Sequence, residues 1–317
     1  GRRGRRVDRM TAVRTAGARI HAPAKVNLTL RILARRPSGF HDLETVFQAI
    51  GLWDTLDVRP RDQPGVALTV RGADVGPVGD NLVTRAASAF LEVAGLSSGV
   101  EIVLDKGIPA GAGLGGGSSD AGATLRVLDA LHPGRLGPGE IHDIATALGS
   151  DVPFFAAGWG RALGLGRGER LRPLDPLPTA WLVLGLPDVH VATGRAYGDL
   201  AASRTAAGGA VPSSLLGDGG AAPTDWKATV EMAVNDFESV VPSRYPAVGR
   251  ALAELRATGA EIALLSGSGA AVFAVFPDRG AASSALDAVS VRCPETRFVL
   301  APTLGRMPGL NEPCPTV

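Results

Sequence analysis

The sequence predicts an α+β protein built from two domains, and three observations carry that expectation. The chain has 317 residues, 45% of them hydrophobic, enough to fill about two cores at ~150 residues per domain. Its hydrophobic period switches repeatedly between two and 3.6, so strands and helices are mixed in each half. The proline-punctuated stretch Leu171–Pro178 interrupts both patterns and is expected to be the boundary, giving domains at 19–175 and 176–304.

From Arg19 to Leu30, polar Arg19, His21, Lys25, Asn27 and Thr29 alternate with Ile20, Ala22, Ala24, Val26, Leu28 and Leu30, the period of a half-buried strand. Lys25 and Asn27 then share a face, and Pro23 marks an edge or a bulge. Thr45–Val58 is a β-rich stretch and Val66–Val70 a further strand between Gly and Pro turns. The period then lengthens. Leu82, Ala86, Ala89, Phe90 and Val93 form a helical stripe within Asn81–Ala94, which Gly95 stops. Val100–Leu104 reads as a short strand. After a glycine-rich loop, Ser118–Leu131 reads as a helix with Ser118, Ser119 and Asp120 at its cap and Ala121, Leu125 and Leu128 on its buried face. Pro138–Leu148 is a helix ended by Gly149, and Asp151-Val152-Pro153 opens a short one. In the second half, Trp181–Leu186, Glu261–Leu265, Ala271–Phe276 and Arg297–Ala301 read as strands and Ala247–Thr258 and Ala281–Val289 as helices, with a second glycine loop ahead of Ala271. Residues 201–225, rich in Ala, Gly, Ser and Pro, are expected to form a mobile loop. No internal repeat is visible.

Charged residues make up 20% of the chain, 32 basic against 31 acidic, which excludes a highly charged disordered protein and argues against a general nucleic-acid binder. Residues 1–19 carry seven Arg against Asp8 alone, a local +6 that leaves about −5 on the rest. Residues 1–18 are expected to be a disordered basic extension, with Met10 as the true start, and 305–317, with Pro308, Pro313 and Pro315, a disordered tail. Cys293 and Cys314 make no disulfide framework and have no Cys or His at metal-ligand spacing, which fits a reducing compartment. No run approaches ~18 apolar residues and the arginine-rich start lacks an apolar core, so neither a membrane span nor a secretory signal is expected, and a cytoplasmic location is.

Six of the eleven residues from Gly107 to Gly117 are glycine. A backbone so bare can take positive φ and converge several N–H groups on an anion, while the following helix directs its positive end to the same point. Phosphate is the expected ligand. A flexible linker is the plain alternative, but one is not expected between a strand and an amphipathic helix. No Lys-Ser or Lys-Thr follows the last glycine, so the loop is not a Walker A motif. No acidic residue ends a second strand about 20 residues on, so it is not a dinucleotide fingerprint.

Pro109-Ala110-Gly111-Ala112-Gly113-Leu114-Gly115-Gly116-Gly117-Ser118-Ser119 resembles the second motif of the GHMP kinases. The superfamily usually runs Gly-Leu-Gly into Ser-Ser; the intervening Gly116 and Gly117 resemble the branch acting on 4-diphosphocytidyl-2-C-methyl-D-erythritol in non-mevalonate isoprenoid synthesis. Pro23-Ala24-Lys25-Val26-Asn27-Leu28 is similar to that branch's first motif, Gly39-Phe40-His41-Asp42-Leu43 to its cytidine-contacting segment, and Gly149-Ser150-Asp151-Val152-Pro153-Phe154 to its catalytic aspartate segment. Leu265-Ser266-Gly267-Ser268-Gly269 resembles the superfamily's third motif, and the likeness spans about 19–302.

The resemblance implies an α+β, two-domain GHMP kinase fold, with a ribosomal protein S5 domain 2-like N-terminal domain, a ferredoxin-like C-terminal domain and the active site in the interdomain cleft. It implies ATP and Mg²⁺ as cofactors and 4-diphosphocytidyl-2-C-methyl-D-erythritol as the small-molecule partner, with no nucleic acid, no membrane, and a monomer or homodimer. Asp151 would accept the substrate hydroxyl proton, and Lys25 would hold Asp151 and stabilise charge beside it. ATP would lie on Pro109, Gly111, Gly113, Leu114, Gly115, Gly116 and Gly117. Asn81 and Lys106 would meet its adenosine, and Ser118 and Ser119 its phosphates or Mg²⁺, with Asp151 as the other possible metal ligand. Phe40 and Tyr197 would sandwich cytosine while His41 reads its edge. Asn27 and Thr193 would contact the erythritol or its diphosphate, and Ser266, Gly267, Ser268 and Gly269 would support those phosphates. Read alone, Asp151 and Asn81 are helix caps, Lys25 and Lys106 solvated charges, Phe40 and Tyr197 packing residues, and Ser266–Gly269 a tight turn. Two rival functions are a homoserine- or mevalonate-type kinase, against which Gly39-Phe40-His41 argues, and a catalytically silent ligand-binding protein, against which the presence of both Lys25 and Asp151 argues.

Overall fold

The computed structural model describes residues 17–35, 41–73, 76–209, 211–215 and 222–313. Its first half runs β1 (Ala18–Arg35), β2 (His41–Arg61), β3 (Val66–Arg71), α1 (Leu82–Val93), β4 (Gly99–Asp105), α2 (Gly116–Leu131), α3 (Pro138–Leu148), α4 (Val152–Ala157), β5 (Arg161–Gly166) and β6 (Arg170–Pro173). The second half runs β7 (Trp181–Leu186), α5 (Thr193–Ala206), α6 (Trp226–Glu231), β8 (Val234–Asn235), α7 (Val241–Arg244), α8 (Pro246–Arg256), β9 (Ile262–Leu265), β10 (Val272–Phe276), α9 (Arg279–Arg292) and β11 (Arg297–Pro302).

The β1–β2 hairpin is the spine of the first sheet, in which β3, β4, β2, β1 and β8 lie side by side and β5 and β6 continue from β2. Its register breaks between Pro23, opposite Trp53, and Ala24, opposite Ile50. Proline has no N–H to give the ladder, so the bulge falls where pairing loses least. The break re-aims the strand. Ile20 and Ala22 pack with Phe90 and Leu125 of the helices, whereas Ala24, Val26 and Leu28 pack with Leu182, Leu184 and Phe273 of the second sheet. From Ala22 to Leu30 the strand expected to be half-buried is buried on both sides, Lys25 and Asn27 included, where the glycine loop closes over its polar face; Arg19 stays exposed.

The second sheet has the order β11-β7-β10-β9, antiparallel throughout. Its four strands thus run fourth-first-third-second, the ferredoxin-like order, with α8 and α9 against them.

Three expectations need correction. Helix α2 begins at Gly116, two residues before the expected Ser118. The expected mobile loop at 201–225 begins inside helix α5, which buries only Ala196 and Leu200; so short a stripe has little periodic signal, and tertiary packing holds the helix. The expected tail is folded back over 305–313. Met307 is buried among Phe47, Phe154 and Phe155, Arg126 Nη2 donates to Pro308 O at 2.6 Å, and Asn311 exchanges two hydrogen bonds with the Arg19 backbone. Its prolines suit an extended strap needing few backbone donors. Of the expected extension at 1–18, residues 1–16 lie outside the described residues, as does Cys314, while Ala18 already belongs to β1. No helix among the described residues is long and apolar enough to cross a membrane.

Candidate active site

The loop between β4 and α2 ends on Gly115, the N-cap of α2, with φ 74° and no side chain to cap the helix. The first helical N–H groups of α2 therefore have no cap side chain to bond them, and with the helix dipole they can receive an anion. Gly113 is held more tightly still: its φ is 78°, and a Cβ there would lie 2.2 Å from Ser266 O. The 266–269 turn presses on the loop at this point. Ser266 Oγ donates to Gly113 O at 3.0 Å, Ala271 N to Ala112 O at 3.0 Å, and Asn235 Nδ2 to both Leu265 O and Gly267 O at 2.8 Å.

Lys25 sits under the same loop. Its Nζ donates to Asn27 Oδ1 at 2.8 Å and Gly113 O at 3.0 Å, and lies 3.5 Å from Asp151 Oδ2, with side-chain exposures of 4% and 29%. Phe47 closes the site from below, its ring centroid 5.8 Å from the ammonium. Asp151 occupies the N-cap position of α4 but makes no side-chain cap bond. Its carboxylate is thus turned to Lys25, and the plain reading of a helix cap does not hold. Asn27 is fixed from both sides: Nδ2 donates to Thr45 Oγ1 at 2.8 Å, and Gly267 N donates to Oδ1 at 3.1 Å.

The residues expected to meet the nucleotide divide. Pro109, Gly111, Gly113, Leu114, Gly115, Gly116, Gly117 and Ser118 line one cavity of about 640 Å³, as do Asn81 and Lys106. Asn81 also caps α1, its Oδ1 accepting from Val83 N at 2.9 Å. Lys106 is no solvated charge; its ammonium is buried between Asp54 and Asp120. Ser119 departs from expectation, because its side chain is buried and its Oγ donates to Pro23 O at 2.6 Å. It pins α2 to β1 and does not face the cavity.

Of the residues expected to meet the alcohol substrate, Asn27, Thr193, Tyr197, Gly267 and Ser268 line the same cavity, and Thr193 Oγ1 and Ser268 Oγ are 3.0 Å apart. Ser266 and Gly269 lie behind it, supporting the glycine loop instead of facing a ligand. His41 and Tyr197 stack directly, centroids 5.2 Å apart at 22°, and Phe237 meets Tyr197 edge-on at 4.9 Å. No base fits between His41 and Tyr197 at that spacing, so Tyr197 would take a base only on a face that His41 leaves. Burial, with the Asp151 charge adding, pushes the Tyr197 phenol up to about 12, so it stays neutral. Phe40 lies outside the described residues.

Residues 81–159 match the GHMP kinases N terminal domain and 224–295 the GHMP kinases C terminal family. A 4-diphosphocytidyl-2-C-methyl-D-erythritol kinase of Solibacter usitatus is 41% identical over 284 residues, covering 86% of this chain and 85% of that protein. The chain belongs to the 4-diphosphocytidyl-2-C-methyl-D-erythritol kinase family of GHMP kinases. A crystal structure of 4-(cytidine 5'-diphospho)-2C-methyl-D-erythritol kinase is 34% identical with a TM-score of 0.70, covering 90% of this chain and 99% of that one. A homoserine kinase from Cytophaga hutchinsonii superposes with a TM-score of 0.66 at 19% identity, covering 98% of this chain and 99% of that one, a likeness of fold alone. Membership of this kinase family makes the protein an enzyme with ATP as phosphoryl donor.

For a kinase of this family, several residues around the cavity went unmarked by pattern alone. Asp54, Thr45 and Phe47 lie on β2; for Asp54 and Thr45 a polar residue in a buried strand was the available signal, and for Phe47 there was none. Asp120 was visible only as a cap residue, and Asn235 and Phe237 sit in short elements without periodicity.

Proposed function

We infer that the protein transfers the γ-phosphoryl group of ATP to the 2-hydroxyl of 4-diphosphocytidyl-2-C-methyl-D-erythritol, giving the 2-phosphate and ADP, a step of non-mevalonate isoprenoid synthesis. One observation carries the reading: the uncapped start of α2, the Lys25 ammonium and the Asp151 carboxylate bound one cavity. Phosphoryl transfer asks the protein for alignment and charge neutralisation. The substrate oxygen forms a bond to the γ-phosphorus as the bond to the β-phosphate bridging oxygen breaks, and the hydroxyl proton passes to Asp151. Lys25, anchored by Asn27 and Gly113 O, neutralises charge beside that oxygen and keeps Asp151 in place.

Mg²⁺ would accompany ATP and supply charge neutralisation of its phosphates. Magnesium retains several waters and needs only one or two protein oxygens, which Ser118 Oγ and Asp151 can offer; among the described residues no cluster of three or more His, Cys, Asp or Glu could hold a metal by itself. Asn81 and Lys106 would meet adenosine, and the glycine loop the phosphates. Tyr197, with Phe40 and His41, would hold cytosine, and Asn27, Thr193, Gly267 and Ser268 the erythritol diphosphate. We further propose domains at 19–175 and 176–304, and a cytoplasmic monomer or homodimer without nucleic-acid partners, supported by the near-neutral charge and two cysteines.

The test is direct. Purified protein is incubated with ATP, Mg²⁺ and, separately, the cytidylyl substrate, homoserine and mevalonate, and ADP release is followed. Turnover is expected with the cytidylyl substrate alone; turnover of homoserine or mevalonate in its place overturns the substrate assignment.

A further inference from the structure

A buried ionic triad joins the two ends of the glycine loop. Lys106 is the last residue before the loop; its Nζ is bonded to Asp54 and, at 2.7 Å, to Asp120 Oδ2, and the three side chains are 4%, 0% and 4% exposed. Asp120 belongs to α2, beyond the loop's far end. Asp54 lies on β2 beneath the loop, and its Oδ1 also accepts Gly107 N at 2.6 Å and Ile108 N at 2.8 Å. Gly107 passes so close to the Trp53 carbonyl oxygen that a Cβ would lie 2.4 Å from it, so the loop's entry is pressed onto the bulged part of β2.

Stability alone is a poor reason for this arrangement. Burying two carboxylates around one ammonium gains little over apolar packing, and Asp120 Oδ1 is left buried without a partner. A loop this rich in glycine is, however, entropically costly to hold in one conformation. Tying its entry and its exit to a single ammonium removes much of that freedom before a ligand arrives.

We propose that Asp54 and Asp120 are positioning residues for ATP: by sharing Lys106 they fix both ends of the 107–115 loop, so that its amides are arranged before the nucleotide binds. The proposal rests on the reading that this loop takes the phosphates of ATP. Loosening the triad lowers the fraction of binding-competent loop, which weakens apparent nucleotide affinity by that same fraction. Bound ATP restores the loop, so the rate at saturation changes little.

The experiment compares the full-length protein with Asp120→Asn, which keeps shape and one lysine partner, and with Asp54→Asn as the second variant. Amide hydrogen exchange over 107–117 is read without nucleotide and with ADP, alongside ADP affinity by calorimetry, melting temperature, and steady-state kinetics. In the variants, exchange over 107–117 is expected to accelerate about tenfold or more with α9 unchanged. ADP Kd and the KM for ATP rise on the order of tenfold or more, with kcat within about threefold of wild type and the KM of the alcohol unmoved. A folded Asp120→Asn protein with wild-type loop exchange and ADP affinity overturns the proposal. So does a lowered melting temperature with ADP affinity intact, because the triad would then be structural only. If ADP gives the wild-type loop no protection, it is the phosphate reading of the loop that fails.

Discussion

Replacing Asp151 by Asn isolates the carboxylate charge at constant shape. In the wild type the Lys25 ammonium and Asp151 lie 3.5 Å apart. That separation corresponds to about 5 kcal/mol at an effective dielectric near 20 and about 1 kcal/mol in bulk water. With Lys25 buried and Asp151 partly open to solvent, the interaction falls between these limits. The amide retains one acceptor oxygen, and Lys25 keeps Asn27 Oδ1 and Gly113 O, so the ammonium stays where it is. What disappears is the proton acceptor, a contribution of about 10²–10⁴-fold, or about 3–5 kcal/mol of barrier. With ADP release followed at saturating MgATP and cytidylyl substrate, kcat is expected to fall by about a hundredfold or more, while both KM values stay within about threefold. A variant retaining more than about a fifth of wild-type kcat would refute Asp151 as the base. Loss expressed only as a raised KM for ATP would make it a ligand of the nucleotide's metal instead.

Three further outcomes follow from the packing. Gly113→Ala places a Cβ 2.2 Å from Ser266 O at a φ of 78°, so the loop must leave the 266–269 turn; ATP KM should rise on the order of tenfold or more, and unchanged ATP kinetics would show that this contact does not shape the site. Met307→Ala removes a buried side chain from the Phe47, Phe154 and Phe155 cluster and should cost about 2–5 kcal/mol in urea unfolding, whereas a loss under about 0.5 kcal/mol, typical of surface substitutions, would show that the strap contributes nothing. Cys293 is buried and its thiol is pushed up by burial, with Thr296 Oγ1 as its hydrogen-bond partner at 3.4 Å. Thiol reagents should label it only as the protein unfolds, as peptide mass mapping would show, and rapid labelling of the native protein would contradict this burial.

Much of this was legible in one dimension. The alternation through Arg19–Leu30 located β1 and put Lys25 and Asn27 on one face, and Pro23 marked the bulge. The glycine run located the loop that leads into α2 and lines the cavity, and Asp151 stands at the head of a short helix. Where the local signal was weak or shared by two readings, the expectation missed: α5 has too short an apolar stripe, and the strap at 305–313 is held by contacts to residues nearly three hundred positions away.

By itself, then, the sequence determined which segments come together around the cavity, because backbone freedom, capping and hydrophobic period act over a few neighbouring residues. Only the tertiary structure decided what each side chain does there. Folding turned Asp151 from a cap to a partner of Lys25, drew Ser119 away to the Pro23 carbonyl, and buried Lys106 between two carboxylates. Those outcomes depend on desolvation and on partners brought together by folding, Asp151 to Lys25, Pro23 to Ser119 and Asp54 to Lys106, from 52 or more positions away.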